Sequence, residues 1–244
     1  MVLSGISFDL WYTLIYETEE DEAKYQEMRL NALKKGLHET GVTFNEDALN
    51  KAFIHLRKFS LTIPYGGFIK LVLSSAGIRL DGSIFRIVEA RYLDEIENYR
   101  VKLGPEVPSV LEGLKERGLK IAIVSNTSFP EKSLWKVLGR AGIAQHVDAI
   151  VSSSDEGVGK PSPVIFSIAE RRLNVPSGDI LHVGDTCIED YMGATAFGMK
   201  AILYTGLYGY RKEKEVHELC QINGIVSIKK LSEIEKLLES NLFD

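Results

Sequence analysis

Apolar and polar positions alternate along this chain in two different rhythms. Ile6-Ser7-Phe8 is a brief apolar run that ends on the carboxylate of Asp9, the pattern of a buried strand with a polar residue at its end. From about Glu17 to Tyr99 helix formers dominate and no strand-like run follows. Ala23, Met28, Leu30, Leu33 and Leu37 recur at helical spacing, and that segment closes at Thr40-Gly41, as a helix C-terminus does. The pattern predicts a second helix capped by Asn45 and running towards Phe59, a break at Pro64-Tyr65-Gly66-Gly67, and two more helices over Phe68–Ala76 and Ser83–Glu97. The acidic group Glu17, Glu19, Glu20, Asp21 and Glu22 reads as a solvated helix start, favourable near the positive end of the dipole.

From Pro105 onward the rhythm becomes helix, strand, helix, strand. Short apolar or β-branched runs at Leu119–Val124, Ala149–Ser152, Ile180–Val183 and Lys200–Tyr204 read as strands. Helical stretches fall at Val107–Arg117, Glu131–Ala141, Pro163–Leu173 and Glu189–Phe197. A weak strand near Ile225–Ile228 and a helix over Ser232–Ser240 close the chain, with Ser232 and Glu235 spaced as a capping box. This alternation is that of an α/β fold, a Rossmann-like parallel sheet covered by helices on both faces. The expected organisation is a Rossmann-like core over 1–16 and 100–244, with a helical-bundle cap inserted over 17–99.

Composition narrows the function classes. A net charge of −5 with no basic stripe disfavours nonspecific nucleic-acid binding, while a local site can still take a small anionic substrate. Cys187 and Cys220 match no zinc spacing and suggest no disulfide framework; Cys187 reads as a small packing residue, and a cytoplasmic location is the default expectation. No apolar run approaches the ~20 residues that span a bilayer, and no signal region opens the chain, so neither membrane insertion nor secretion is expected.

Open parallel sheets bind ligands at the carboxyl ends of their strands, so the residues just past each strand are the candidates. They are Asp9 and Thr13 after the first, Ser125 and Asn126 after the second, Lys160 in Gly159-Lys160-Pro161 before a helix, and Asp185 with Asp190 after the fourth. Asp9 suits attack on an electrophile, Ser125 and backbone N–H groups suit binding of anionic oxygens, and Lys160 offsets clustered negative charge. Asp185 and Asp190 suit holding or orienting a metal. Asp9, Asp185 and Asp190 together exceed what one lysine balances, which calls for a hard divalent cation, with Mg²⁺ the expected cofactor. His182, inside a strand, reads as a satisfied core residue turned away from the strand end. Arg29, Arg57 and Lys58 are cap residues that could meet an anionic substrate.

FDLWYTL, VSN, GKP and GDTCIED, in this order and separation, resemble the four motifs of the haloacid dehalogenase superfamily of hydrolases. The resemblance spans nearly the whole chain and implies a cap that closes over substrate. It implies Asp9 as a nucleophile forming an aspartyl ester, Ser125 and Lys160 as anion-binding groups, Asp185 as a metal carboxylate, and Asp190 as a support for the metal or for water. It also implies a metal contact through the backbone carbonyl of Trp11. Trp11 itself departs from the family's phosphatases, which carry there an Asp that works as general acid and base, a task no indole performs. An aromatic residue at that position is similar to the family's 2-haloacid dehalogenases, whereas Asp185 is similar to its magnesium phosphohydrolases. Three readings follow: a Mg²⁺-dependent phosphatase of small metabolites, a 2-haloacid dehalogenase, or a catalytically weak member that binds a phosphorylated ligand or partner protein. Thr13, Asn126 and Trp11 are the expected substrate-binding residues, and the side chain of Trp11 is also expected to pack against the cap, with its N–H finding a partner.

Overall fold

A computed structural model of the 244-residue chain describes residues 3–79, 81–210 and 225–240. The sheet is built from β1 (Gly5–Phe8), β4 (Lys120–Ser125), β5 (Ala149–Ser152), β6 (Ile180–Gly184), β7 (Lys200–Tyr204) and β8 (Ser227–Ile228). They run parallel in the order β5-β4-β1-β6-β7-β8, which puts β1 between β4 and β6. The first strand is therefore central, and the loops leaving β1, β4 and β6 open side by side on one edge.

Alternate residues of the strands feed the two faces of the sheet. Ile6, Phe8, Ile121, Ile123, Leu181, Val183 and Ile202 belong to one core, with Val110, Leu114, Leu134 and Leu138 from α5 (Val107–Glu116) and α6 (Glu131–Arg140). Ala122, Val124, Val151 and Ile180 belong to the other, against Ile165, Phe166, Ala169 and Leu173 of α8 (Pro163–Leu173) and Ala194 of α9 (Gly193–Phe197). A one-turn helix, α7 (Ser153–Glu156), follows β5 directly. A final helix, α10 (Glu233–Glu239), ends the described chain. The expected capping box at Ser232 is not formed. Ser232 has helical backbone angles, its N–H and hydroxyl bond the Glu106 carboxylate, and Glu233 instead takes the N–H groups of Lys229 and Lys230.

Between β1 and β4 lie four helices, α1 (Glu19–Glu39), α2 (Glu46–Leu56), α3 (Tyr65–Ser75) and α4 (Gly82–Asn98), with a 3₁₀ segment Arg57–Leu61 after α2. The chain leaves and re-enters the sheet domain through a two-stranded antiparallel ribbon, β2 (Ile15–Tyr16) and β3 (Lys102–Leu103), which the hydrophobic pattern did not announce because each strand is two residues long. The long helix α1 starts at a capping box: Thr18 accepts from the Asp21 N–H, and Asp21 accepts from the Thr18 N–H. Lys102 and the Thr18 N–H hold the Asp21 carboxyl down to about 2. Inside the cap Arg29 is buried, its guanidinium lying over the rings of Tyr25, Phe53, Phe68 and Tyr92 and donating to the Tyr92 hydroxyl at 2.7 Å. Arg57 and Lys58 are exposed. None of these three cap cations lines the cavity in front of Asp9.

Candidate active site

The turn after β1 sets the geometry of the site. Asp9 continues the strand for one residue, its N–H donating to the Val183 carbonyl at 2.8 Å. The chain then curls back, with Leu14 and Ile15 N–H groups both donating to the Leu10 carbonyl and Tyr12 held at φ 60°. That left-handed conformation strains a residue with a Cβ. The curl brings the Thr13 hydroxyl to 3.3 Å from Asp9 Oδ2.

Lys160 reaches the same point from the loop before α8. Its Nζ lies 2.5 Å from Asp9 Oδ1 and 2.5 Å from Asp190 Oδ1, and all three side chains are buried. The loop that carries it is clamped by Asn126, whose Oδ1 accepts from the Lys160 N–H at 2.7 Å while its Nδ2 donates to the Lys160 carbonyl at 2.9 Å. Gly159 permits this approach, since a Cβ there would stand 2.5 Å from Asn126 Oδ1. Burial pushes the Asp9 carboxyl up, and Lys160 pulls it part of the way back. Burial works against the charge on Lys160 too, but Asp190 and Asp9 raise its affinity for the proton overall. Asp190 goes the other way: Lys160 and His182 outweigh its burial and hold it well below the usual carboxylate range.

Asp190 belongs to a π-helical turn, Cys187–Met192, that opens after β6 and runs into α9. Its second oxygen accepts from the Thr186 N–H at 2.9 Å and hydroxyl at 2.6 Å. Gly184 makes room for it, because a Cβ at that position would sit 2.2 Å from Asp190 Cγ. Behind Asp190 stands His182, buried as expected of a core residue. Its Nε2 lies 3.1 Å from Asp190 Oδ1, and its Nδ1 lies 2.8 Å from the Ser7 hydroxyl on the neighbouring strand. His182 is thus satisfied in the core, yet its partner is a carboxylate of the site, a link that strand alternation alone did not reveal. Cys187, read from sequence as a packing residue with no disulfide in prospect, is buried and disulfide-bonded, so it offers no free thiol. The chain's other cysteine, Cys220, lies outside the described residues.

Asp9, Asp185 and Asp190 each offer a carboxylate oxygen within 4.8 Å of the others, and all three are buried. Such a group could hold a metal ion: the donors are hard oxygens, and one lysine leaves the set negative. Asp190 is bonded by Lys160, by His182 and twice by Thr186, whereas the Asp9 side chain is bonded by Lys160 and Thr13, so Asp9 and Asp185 are the better-placed ligands. The Ser125 hydroxyl at the end of β4 is buried and has no hydrogen-bond partner among the described residues. A buried hydroxyl in that state is costly unless an acceptor comes to it. An anionic oxygen of a substrate would be such an acceptor.

In front of Asp9 lies a cavity of about 390 Å³, bounded on one side by the sheet edge and on the other by α1. Asp9, Trp11, Asn126, Asp185 and Asp190 line it, whereas Thr13, Ser125 and Lys160 do not. The Trp11 N–H donates to the Thr127 hydroxyl at 3.2 Å, and its ring packs 5.6 Å from Phe129 and 6.5 Å from Tyr99. Sequence reasoning missed several lining residues. Glu17 and Glu22, read as part of a solvated helix start, face the cavity, as do Tyr25 and Gln26 one turn further along α1. Tyr25 and Gln26 lie three and four residues past Glu22, a helical spacing that puts them on its face; nothing local says that this face meets the sheet. Glu189 was overlooked beside Asp190, although it sits within the same motif.

The family model described as haloacid dehalogenase-like hydrolase matches residues 3–198. The chain belongs to the haloacid dehalogenase-like hydrolases. Its curated relatives include bovine (Bos taurus) haloacid dehalogenase-like hydrolase domain-containing protein 3, 33% identical over 57% of this chain and 54% of that protein. A ribulose-1,5-bisphosphate 5-phosphatase from Halopiger xanaduensis is 34% identical over 46% of this chain and 44% of its own length. The chain spans about half the length of these relatives. In fold it is similar to a solved 2-haloacid dehalogenase from Pseudomonas syringae, with a TM-score of 0.65 at 20% identity over 98% of this chain and 99% of that one. Among the described residues no helix is long and apolar enough to cross a membrane.

Proposed function

We propose that this hydrolase cleaves small phosphate monoesters through an aspartyl-phosphate formed on Asp9, with Mg²⁺ as cofactor. The observation that carries this reading is the buried trio Asp9, Asp185 and Asp190, in which Lys160 is the lysine paired with Asp9 and Asp190 among the described residues. Three carboxylates gathered out of water need more positive charge than one lysine supplies. Asp9 and Asp185, with the backbone carbonyl of Trp11, would hold the ion. When bound, Mg²⁺ supplies charge stabilisation at the phosphoryl oxygens.

The chain's own groups account for the rest. Lys160 and Thr13 orient the Asp9 carboxylate, and Lys160 and Ser125 offer donors to the non-bridging phosphoryl oxygens. Asp9 attacks phosphorus, the ester P–O bond breaks and the leaving oxygen departs as its anion, which takes a proton from solvent. Water then cleaves the acyl phosphate, returning the carboxylate and releasing phosphate. Protonation of the leaving oxygen lacks its usual donor, because the indole N–H of Trp11 is committed to Thr127 and is no acid at neutral pH. Esters with acidic leaving groups therefore turn over best. The ribulose-bisphosphate phosphatase among the relatives agrees in reaction class.

Trp11 favours a second reading, dehalogenation of a 2-haloacid, in which halide leaves without a proton. One panel separates the two: p-nitrophenyl phosphate and 2-chloropropionate, each with Mg²⁺ and with chelator. The expected result is Mg²⁺-dependent release of nitrophenol and no halide; metal-independent halide release would overturn the phosphatase reading. If neither substrate turns over while Mg²⁺ still binds, the chain acts as a binding protein. A Trp11→Asp variant should raise kcat on alkyl phosphates by about 10²-fold, the low end of what general acid–base catalysis contributes. Its effect on p-nitrophenyl phosphate, whose leaving group needs little protonation, should be smaller.

A further inference from the structure

A buried line of polar groups runs from the middle of the sheet to the nucleophile. The Ser7 hydroxyl on β1 lies 2.8 Å from His182 Nδ1 on β6, and the parallel register sets these two residues side by side. His182 Nε2 lies 3.1 Å from Asp190 Oδ1, and the same oxygen takes Lys160 Nζ at 2.5 Å. Lys160 Nζ is also 2.5 Å from Asp9 Oδ1. All five side chains are buried, and the ring of Phe166 meets the imidazole at 85° with centroids 5.3 Å apart. His182 does not line the cavity, so whatever it contributes to the site passes through Asp190.

Two donors on one oxygen compete for its charge. Burial opposes the charge on Asp190, but Lys160 and His182 outweigh it and keep the carboxylate ionised. An ionised carboxylate accepts and never donates, so Nε2 carries the proton, and the Ser7 hydroxyl can donate to Nδ1 and hold that tautomer. Hydrogen bonds to a charged group are strong in a buried site and polarise their neighbours. The share of Oδ1 that His182 takes is lost to Lys160, and the ammonium charge is left to that extent for Asp9 and for an anionic oxygen of the substrate. An apolar side chain in place of His182 returns Oδ1 to Lys160 and draws the ammonium away from the reacting end.

We propose that His182 is a positioning residue for hydrolysis: held by Ser7, it shares the charge of Asp190 and thereby keeps Lys160 available to Asp9 and to the phosphoryl oxygens. The inference rests on the phosphohydrolase reading of Asp9 and adds to that site a control from within the sheet.

Hydrolysis of p-nitrophenyl phosphate with Mg²⁺ tests it on three variants: His182→Leu, which removes the donor; His182→Gln, whose amide N–H can restore it; and Ser7→Ala, which releases the tautomer. In His182→Leu kcat should fall about tenfold or more, the cost of losing a group that supports a reacting or ligating side chain. Ser7→Ala should fall less, and His182→Gln should recover most of the loss. The Mg²⁺ concentration that gives half the maximal rate should stay near that of the wild type, since Asp9 and Asp185 are the better-placed ligands. In the NMR spectrum of isotope-labelled wild type, the His182 ring should show a slowly exchanging proton on Nε2. Equal losses of kcat in the leucine and glutamine variants would reduce His182 to packing and overturn the proposal. So would a loss carried by the Mg²⁺ dependence in place of kcat, or a ring protonated on Nδ1 and not on Nε2. If His182→Leu fails to fold, the other two variants decide, and wild-type kcat in Ser7→Ala overturns the proposal. Each of these outcomes leaves the phosphohydrolase reading standing, whereas a wild type that binds Mg²⁺ without turning over the ester removes that reading and the role of His182 with it.

Discussion

Asp9→Asn is expected to lower kcat/KM on p-nitrophenyl phosphate by about four orders of magnitude or more, the size of effect that follows loss of a nucleophile, without unfolding the protein. The amide keeps the shape of the carboxylate, so Oδ1 can still accept from Lys160 and the Thr13 contact can survive. It also removes a negative charge whose burial the site opposes, since burial pushes the Asp9 carboxyl up. Lys160 keeps Asp190 as a counter-ion at 2.5 Å. The midpoint of urea unfolding should therefore stay near or above that of the wild type while turnover is lost. Retention of a tenth or more of the activity would place the nucleophile elsewhere.

Lys160→Met should have the largest effect on stability, a loss of ~3–5 kcal/mol, the range for breaking a buried ion pair by removing one partner. Methionine fills the volume of the lysine stem but leaves Asp9 and Asp190 facing each other out of water with no cation. One of them must then bind a proton, so their folded pKa values rise above the unfolded ones. Stability carried by groups with raised folded pKa values is present at low pH and lost as pH rises. The deficit of the variant, measured by urea unfolding with chelator present, should accordingly shrink as the pH is lowered from 8 towards 5. An Asp190→Asn change on top of Lys160→Met should recover part of the loss, since the two share one interaction. A deficit that does not vary with pH would show that Lys160 acts through packing and not through charge.

These expectations draw on residues that differ in how readily they were seen. Asp9, Ser125, Asn126 and Asp185 could be collected from the sequence because each follows or adjoins a short apolar run, and a parallel sheet aligns the ends of such runs; Lys160 was picked out by the Gly159-Lys160-Pro161 segment ahead of a helix. Asp190 was within reach because it lies in the turn after one of those ends. The acidic start of α1 was misjudged for Glu17 and Glu22: a run of acids at a helix N-terminus looks the same whether it faces water or a cavity. The pairing of Ser7, His182 and Asp190 also escaped notice, because Ser7 and His182 become neighbours only through the register of two parallel strands that lie 175 positions apart in the chain.

The sequence by itself determined the α/β alternation, the break in it where four helices intervene, and the polar residues delivered at the strand ends. Those are consequences of local periodicity and of rules that hold for any parallel sheet. Tertiary structure alone decided that β1 lies between β4 and β6, that Lys160 bridges Asp9 and Asp190, and that Glu17, Glu22 and Tyr25 around the start of α1 line the cavity. The physical reason is the range of the forces involved. Hydrophobic periodicity is written within a dozen neighbouring residues, whereas charge balance and cavity shape depend on which distant segments are packed together and kept from water.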